Sequence, residues 1–378
     1  MKKKKILFLT GTRADYGKIK SLMQALEQTL NFELFIFVCG MHLSEKLGRT
    51  YEEIVKDGYK NIYIAYGLGQ SINPSVNLGN TISSLAGYVE NVKPNMIVVH
   101  GDRMDALAGA VVGALSNVIV AHIEGGELSG TIDESTRHAI SKFAHAHFVC
   151  NQEAKTRLIQ LGEEKNRIFV IGSPDIDVMM SSSLPTIDKA KQRYDILFDN
   201  YAILMYHPVT TEFAHVGEHI ANVVDAIIMS KKNYIAIYPN NDLGSEIIME
   251  EFKRFQDNPR FKIYPSLRFE YFLTLLKHAD FIIGNSSAGI RESCVYGIPA
   301  IDIGTRQFRR YSPEVLKNIQ HAAEEKDKII AAINKVDYYR IEASGYGDGN
   351  STARFIKILN SPSFWNTPLQ KQFIDYDM

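Results

Sequence analysis

The stretch Ile6-Leu7-Phe8-Leu9-Thr10-Gly11-Thr12-Arg13-Ala14-Asp15-Tyr16 decides the fold. Its four apolar residues predict a buried β-strand, Gly11 marks a turn, and a helical pattern begins at Asp15. In α/β sheets such a strand–turn–helix junction meets the ligand beside the positive end of the helix. The G-x-G-x-x-G pattern of dinucleotide-binding junctions is absent here. The turn that holds Arg13 therefore predicts a site for a phosphate-bearing ligand without a nicotinamide.

Strand-like and helix-like segments alternate along almost the whole chain, which predicts parallel sheets with right-handed crossovers. The polar stretch 181–186 divides the strands into two sets. We therefore predict an α/β fold of two Rossmann-like domains, residues 1–180 and 187–359, with the site in the cleft between them. The tail, 360–378, is expected to pack back on the first domain through its aromatic residues. The predicted strands are 6–9, 34–39, 96–100, 119–123, 147–150 and 169–171, then 202–206, 234–238, 261–264, 281–283 and 300–303.

Composition excludes several classes of protein. The 378 residues are 45% hydrophobic and 22% charged with a net charge of -1, so neither nucleic acid nor an anionic membrane is an expected partner. The apolar run after Lys2–Lys5 is too short for a signal peptide, and we predict a cytoplasmic protein. Cys39, Cys150 and Cys294 lie in apolar runs, which predicts buried free thiols.

Acidic side chains follow two predicted strands of the first domain. Asp102 comes directly after the strand 96–100, and Glu124 comes directly after 119–123. Carboxyl ends of parallel strands point into the ligand crevice, so function is favoured over a local ion pair for Asp102. Glu124 stands out because acids are rare at strand ends that face a core. Asp133 opens a predicted helix, and capping and function explain it about equally well.

Polar residues follow two predicted strands of the second domain. His207, fixed by the next proline, is suited to donate to a phosphate or to move a proton, although a satisfied buried histidine is an equal alternative. Asn240 follows the next strand and either contacts the ligand or only forms a turn.

The strongest phosphate signal lies in residues 283–292, where a strand leads through small residues into a helix. Backbone N–H groups at that helix start, with Ser286, Ser287 and Gly289 before it, form an anion site or only a capped helix. Arg306 adds a cation near the same edge. The sequence lacks clustered ligands with metal spacing and the Walker A and G-x-S-x-G motifs, and we expect no metal.

Taken in order, these motifs resemble one family, the hydrolysing UDP-N-acetylglucosamine 2-epimerases of sialic acid biosynthesis. The resemblance spans about residues 5–360. It implies a fold of the glycosyltransferase B type, conversion of UDP-GlcNAc and water into N-acetylmannosamine and UDP, no cofactor, and a homo-oligomer (dimer or tetramer). The motifs are Thr-Arg-Ala-Asp-Tyr-Gly (12–17), His-Gly-Asp-Arg (100–103), His-Ile-Glu-Gly-Gly (122–126), Thr-Ile-Asp-Glu-Ser-Thr-Arg-His (131–138), His-Pro (207–208), Gly-Asn-Ser-Ser-Ala-Gly (284–289), Gly-Thr-Arg-Gln (304–307) and Tyr-Gly-Asp-Gly-Asn (346–350).

The resemblance also implies roles for single residues. Asp102, Glu124 and Asp133 match three acids implicated in catalysis, and His207 matches a histidine near the phosphates. Which acid removes the proton from sugar C2 stays open. Residues expected to bind the UDP-sugar are Arg13, His42, Asn240, Phe272 (as a stacking partner of uracil), Ser286, Ser287, Gly289, Glu292 and Arg306.

The expected reaction begins with elimination of UDP to a 2-acetamidoglucal, followed by addition of water. Relatives with similar motifs act on UDP-2,4-diacetamido-2,4,6-trideoxy hexoses in legionaminic acid synthesis, and the motifs do not separate the two substrates. Three other functions fit the same motifs: a UDP-sugar glycosyltransferase, a non-hydrolysing epimerase and a non-enzymatic UDP-sugar sensor.

Overall fold

The computed structural model describes residues 3–45, 48–66, 73–129, 132–342 and 345–375. The strands are β1 Lys4–Thr10, β2 Phe32–Val38, β3 Ile62–Ile64, β4 Met96–His100, β5 Ile119–Ile123, β6 Ala146–Val149, β7 Ile168–Val170, β8 Ala202–Met205, β9 Tyr234–Ile237, β10 Phe261–Tyr264, β11 Ile282–Gly284, β12 Ala300–Ile303 and β13 Ile319–Ala322. The α-helices are α1 Arg13–Glu27, α2 Tyr51–Lys56, α3 Pro74–Val92, α4 Met104–Leu115, α5 Ile132–Phe143, α6 Gln152–Gln160, α7 Pro174–Met179, α8 Ile187–Arg193, α9 Val216–Met229, α10 Ser245–Phe252, α11 Phe269–Lys277, α12 Glu292–Val295, α13 Lys326–Ile333 and α14 Ser351–Leu359.

The chain forms two compact units, each built on a parallel sheet. Unit 1 is Met1–Glu127, Asp133–Met180 and Gly345–Met378, and unit 2 is Leu128–Ile132 and Ser181–Ser344. The strand order is β3-β2-β1-β4-β5-β6-β7 in unit 1 and β10-β9-β8-β11-β12-β13 in unit 2. In each sheet the order of the strands reverses beside the first strand of the unit, β1 or β8. This reversal is the switch point where doubly wound sheets bind ligands. The predicted Rossmann-like class is confirmed.

Burial on both faces of the sheet explains why the strands are continuous apolar runs rather than alternating ones. In β1, Ile6 and Phe8 enter one hydrophobic cluster, while Leu7 and Leu9 enter the cluster on the opposite face. All eleven predicted strands are confirmed. The sequence missed β3 and β13, two short strands that lie at sheet edges.

The C-terminal part of the chain belongs to unit 1 from Gly345 onward, not only from residue 360. Helix α14, predicted within the second domain, buries Phe355 and Leu359 in a core of unit 1, because its hydrophobic face matches that core. In the tail, Phe364 is buried and Lys371 Nζ donates to the Ala144 carbonyl at 2.7 Å. The prediction that the aromatic residues of the tail pack is wrong for Phe373, since its side chain is 89% exposed. Tyr376 lies outside the described residues.

Two further sequence expectations concern burial and membranes. Cys39, Cys150 and Cys294 are buried thiols that form no disulfide within the described part of the chain, as predicted. Within the described part of the chain, every helix is too short or too polar to span a bilayer.

Candidate active site

Sheet order brings the first group of predicted residues to one edge of unit 1. Strands β1, β4 and β5 are neighbours. Their carboxyl ends lead directly to Arg13, Asp102 and Glu124. Three segments that are distant in sequence therefore end side by side, as the sequence predicted from strand polarity.

The turn after β1 is built by a capping box. Thr12 Oγ1 accepts from the Asp15 N–H at 3.1 Å, and Asp15 Oδ1 accepts from the Thr12 N–H at 3.1 Å. Such reciprocal bonds satisfy N–H groups that a helix start leaves unpaired. The helix consequently begins at Arg13, two residues before the predicted start. Arg13 Nη2 lies 2.6 Å from Glu53 Oε1, so a carboxylate holds this guanidinium at the turn.

His42 lies inside this turn rather than at its surface. Its side chain is fully buried, with Nε2 3.0 Å from Thr10 Oγ1 and Nδ1 2.7 Å from Thr50 Oγ1. Burial lowers the pKa of His42 to about 4, so the ring is neutral at pH 7. In this structure His42 supports the turn, and both ring nitrogens are engaged by hydroxyl groups.

Glu124 is a buried carboxylate on an unusual backbone. Its φ of 65° lies in the left-handed region, which disfavours residues with a side chain, and the residue is 4% exposed. Ser173 Oγ donates to Glu124 Oε1 at 2.8 Å, and Oε2 lies 3.3 Å from His100 Nε2. Strained, buried polar residues of this kind concentrate at functional sites. The structure thus shows that Glu124 is a buried carboxylate on a left-handed backbone, and its catalytic role stays a prediction.

Arg137 joins the acidic residues, and the sequence did not assign it a role. Its side chain is 1% exposed and donates to the Asp102 carboxylate through Nη2. Nη1 donates to the Glu124 carbonyl at 2.8 Å and lies 3.7 Å from Glu127 Oε2. A planar guanidinium suits such a multiple contact. Its positive charge offsets the repulsion among acids that are brought to one edge.

The two remaining features of this edge are Asp133 and His122. Asp133 lies in the first turn of α5, four residues before Arg137 and therefore on the same helix face. His122 is fully buried between Gly101 O at 2.8 Å and Ser141 Oγ at 3.0 Å. Burial lowers its pKa to about 3. His122 thereby anchors the segment that carries Asp102.

In unit 2, His207 lies just after the carboxyl end of β8. Its Nδ1 accepts from the Asn240 N–H at 3.1 Å, so the ring proton is assigned to Nε2. The buried Asn285 side chain accepts from the His207 N–H at 2.7 Å and donates to the His207 carbonyl at 2.8 Å. A neutral imidazole with an Nε2 donor is suited to a phosphate oxygen. Asn285, which the sequence quoted only as part of a motif, fixes this loop.

The serine loop after β11 differs from the predicted passage of small residues directly into a helix. Ser287–Gly289 form a 3₁₀ turn, and α12 has only four residues, so helix-dipole attraction is weak here. The capping residue is Ser286 rather than Ser287, since its Oγ accepts from the Ala288 N–H at 3.4 Å. Gly284 before it is required, because a Cβ there would lie 2.0 Å from Met205 O.

The other predicted contacts of unit 2 divide into two kinds. Arg306 Nη1 donates to the Asn285 carbonyl at 3.3 Å, which brings it to the serine loop. Glu292, which begins α12 after the same loop, is 2% exposed. Phe272 is 6% exposed and packs in α11 against Phe269, with ring centroids 6.5 Å apart. In this structure Phe272 is a packed side chain rather than an open stacking surface.

Comparisons with known proteins agree with this arrangement. Residues 24–360 match the profile of the UDP-N-acetylglucosamine 2-epimerase family. A UDP-N-acetylglucosamine 2-epimerase of Neisseria meningitidis serogroup B is 46% identical, over 99% of this chain and all of that protein. A hydrolysing UDP-N,N'-diacetylbacillosamine 2-epimerase of Legionella pneumophila is 32% identical, over 98% of each chain.

The solved structures show the same fold. The Methanocaldococcus jannaschii UDP-GlcNAc 2-epimerase, in complex with UDP-GlcNAc and UDP, matches with a TM-score of 0.79 at 24% identity, over 94% of this chain and 99% of that one. The predicted glycosyltransferase B type is thereby confirmed. With a family profile matched along most of its length and a 46% identical relative across it, the chain belongs to the UDP-N-acetylglucosamine 2-epimerase family.

Proposed function

We propose that the protein is the hydrolysing form of this enzyme, which converts UDP-GlcNAc and water into N-acetylmannosamine and UDP for sialic acid-type sugars. The observation that carries the proposal is the buried, strained Glu124, which Arg137 links to Asp102. A sensor that only binds a UDP-sugar has no use for such a group. An epimerase that works at an unactivated C2 needs a positioned carboxylate to move the proton.

Residues of unit 2 are assigned to the diphosphate. The Nε2–H of His207, the hydroxyls of Ser286 and Ser287, and Arg306 would stabilise negative charge as UDP leaves sugar C1. Preorganisation supports this assignment, because Asn285 holds both the His207 loop and, through its carbonyl, Arg306. Donors fixed before the reaction need no reorganisation when charge develops.

Residues of unit 1 are assigned to proton transfer. One carboxylate among Asp102, Glu124 and Asp133 removes the C2 proton as the C1–O bond to UDP breaks, which leaves 2-acetamidoglucal. Water then adds at C1, and a proton returns to the opposite face of C2. Departure of UDP at the same step makes the C2 proton removable although no ketone activates that carbon.

The relatives bear on the substrate. The 46% identity to a UDP-GlcNAc 2-epimerase, against 32% to a UDP-N,N'-diacetylbacillosamine enzyme, favours UDP-GlcNAc. The hydrolysing branch is supported by the second relative, whose name specifies hydrolysis. A homo-oligomer and a cytoplasmic location remain predictions from the sequence.

Parallel kinetics on the two UDP-sugars test the proposal. The purified protein is incubated with UDP-GlcNAc or with UDP-N,N'-diacetylbacillosamine, and free UDP is measured by anion-exchange chromatography. We expect free UDP from UDP-GlcNAc, with a kcat/KM at least tenfold above that for the other substrate. Accumulation of UDP-N-acetylmannosamine without free UDP would identify a non-hydrolysing epimerase instead. Reversal of the substrate ratio would assign the enzyme to the diacetamido sugar.

A further inference from the structure

Three side chains with metal-ligand chemistry meet in unit 2, and the mechanism above uses none of them. Glu212 lies in a 3₁₀ helix, His219 lies in α9, and Glu324 follows β13. Their ligand atoms all lie within 4.8 Å of one another. His219 Nδ1 is 3.0 Å from Glu324 Oε2 and 4.0 Å from Glu212 Oε2.

These distances suit a small divalent ion. With metal–ligand bonds of about 2.0–2.2 Å, tetrahedral ligands lie roughly 3.4 Å from one another. The two measured distances, 3.0 and 4.0 Å, fall on either side of that spacing. One imidazole and two carboxylates form a ligand set that Zn²⁺ accepts, with water in the fourth position.

A second observation points to a ligand at the same place. Glu212 Oε2 is buried and has no hydrogen-bond partner among the described residues. A buried carboxylate oxygen without a partner is costly. The neighbouring carboxylate, that of Glu324, is 9% exposed at its side chain. A cation between the two carboxylates would give Glu212 Oε2 a partner.

The backbone makes room for this arrangement. Gly304 has a φ of 73°, and a Cβ there would lie 2.5 Å from Glu324 Oε1. The same Oε1 accepts from the Tyr206 hydroxyl. Any larger residue at position 304 would push Glu324 away from His219.

We propose that Glu212, His219 and Glu324 bind a divalent transition-metal ion of the Zn²⁺ type. The ion has a structural role. Thr305 Oγ1 donates to Glu212 Oε1 at 2.6 Å, and Tyr206 donates to Glu324. These two residues directly precede Arg306 and His207 in the chain. The ion would therefore stabilise the loops that carry two predicted phosphate contacts.

Calorimetric titration tests the site. Full-length protein, stripped with EDTA and desalted, is titrated with ZnCl₂, and MgCl₂ serves as the hard-cation comparison. We expect one equivalent of Zn²⁺ with a micromolar or lower Kd, weakened at least 30-fold in both His219→Ala and Glu324→Gln. His215→Ala is the matched control, because His215 stacks on the His219 ring with centroids 5.8 Å apart but lies outside the ligand group. Its affinity should stay within threefold of wild type.

A second readout protects the test against variants that fail to fold. Glu212→Gln changes a partly exposed side chain and should leave the fold intact while it weakens Zn²⁺ binding. Zn²⁺ at about one hundred times its Kd should raise the wild-type Tm by about 5–10 °C, and much less in Glu212→Gln. Absence of Zn²⁺ binding by wild type, or unchanged binding by His219→Ala, would show that the three residues form only a hydrogen-bonded cluster.

Discussion

Replacement of Glu124 by glutamine separates catalysis from folding more cleanly than any other change at this site. Both oxygens of Glu124 have defined neighbours, the Ser173 hydroxyl at 2.8 Å and His100 Nε2 at 3.3 Å. A glutamine of the same size keeps an oxygen for Ser173 and places an NH₂ group toward His100. The substitution therefore removes the charge and the basicity and leaves the packing unchanged.

The structure gives magnitudes for both effects. Since the bond from Ser173 is kept, the free energy of unfolding should change by less than about 1 kcal/mol. Loss of a positioned acid–base group costs about 10²- to 10⁴-fold in kcat, which corresponds to about 2.7–5.4 kcal/mol. UDP release gives kcat, and thermal unfolding gives the stability. The matched control Ser173→Ala removes only the hydroxyl that holds Oε1, and it should lower kcat about fivefold, from roughly 1 kcal/mol of lost orientation.

If Glu124→Gln keeps more than one tenth of the wild-type kcat with an unchanged Tm, the carboxylate of Glu124 takes no part in proton transfer. The buried, strained position would then serve only the turn after β5.

Three further predictions concern the residues around the site. Arg137→Met removes the buried cation that contacts the carboxylates of Asp102 and Glu127, so the free energy of unfolding should fall by about 3–5 kcal/mol in chemical denaturation; a loss below 1 kcal/mol would contradict the assigned role. His207→Asn keeps an acceptor for the Asn240 N–H but loses the Nε2 donor, so the inhibition constant of UDP should rise about 10- to 100-fold, and an unchanged constant would exclude the phosphate contact. Burial lowers the pKa of His42 to about 4 and that of His122 to about 3, so below pH 6.5 the unfolded chain binds these protons first. The free energy of unfolding should therefore fall between pH 6.5 and 4, by about 1.4 kcal/mol per pH unit for each histidine, and a flat profile in urea denaturation across that range would contradict their neutral burial.

The strands and the fold class could be predicted because a parallel sheet buried on both faces needs apolar runs. Edge position alone does not explain the two missed strands, because the edge strands β7 and β10 were predicted. Strand β13 has the polar residues Gln320 and His321 at its centre instead of an apolar run, and β3 has only three residues. The place of α14 was missed for a different reason. Its apolar face shows that the helix is buried, but only the folded chain shows that Phe355 and Leu359 enter unit 1.

The candidate site was predictable where strand polarity alone decides position. Asp102 and Glu124 follow strands of unit 1 and His207 follows a strand of unit 2, and the parallel strands of each sheet end at one edge of that sheet. Residues that act through long-range contacts gave no such signal. Arg137 lies within a helix, and Asn285 is one small residue among several, yet these two side chains hold the acids and the His207 loop in place.

Long-range contacts also explain why the three proposed metal ligands could not be predicted from the sequence. Glu324 is distant in sequence from Glu212 and His219, so no spacing rule for metal motifs applies to the three. The serine loop differs from its prediction in another way. Small residues before an apolar run predicted a helix directly after them, but a 3₁₀ turn comes first, and α12 has only four residues before the chain turns into β12.

Proton NMR of the reaction in D₂O tests the central claim most directly. The purified protein is incubated with UDP-GlcNAc, and the sugar and nucleotide products are followed over time. The proposed elimination and hydration predict free N-acetylmannosamine that carries deuterium at C2, together with one equivalent of UDP. N-acetylmannosamine that retains its C2 proton, or UDP-GlcNAc that stays unchanged under prolonged incubation, would contradict proton removal by the carboxylates of unit 1.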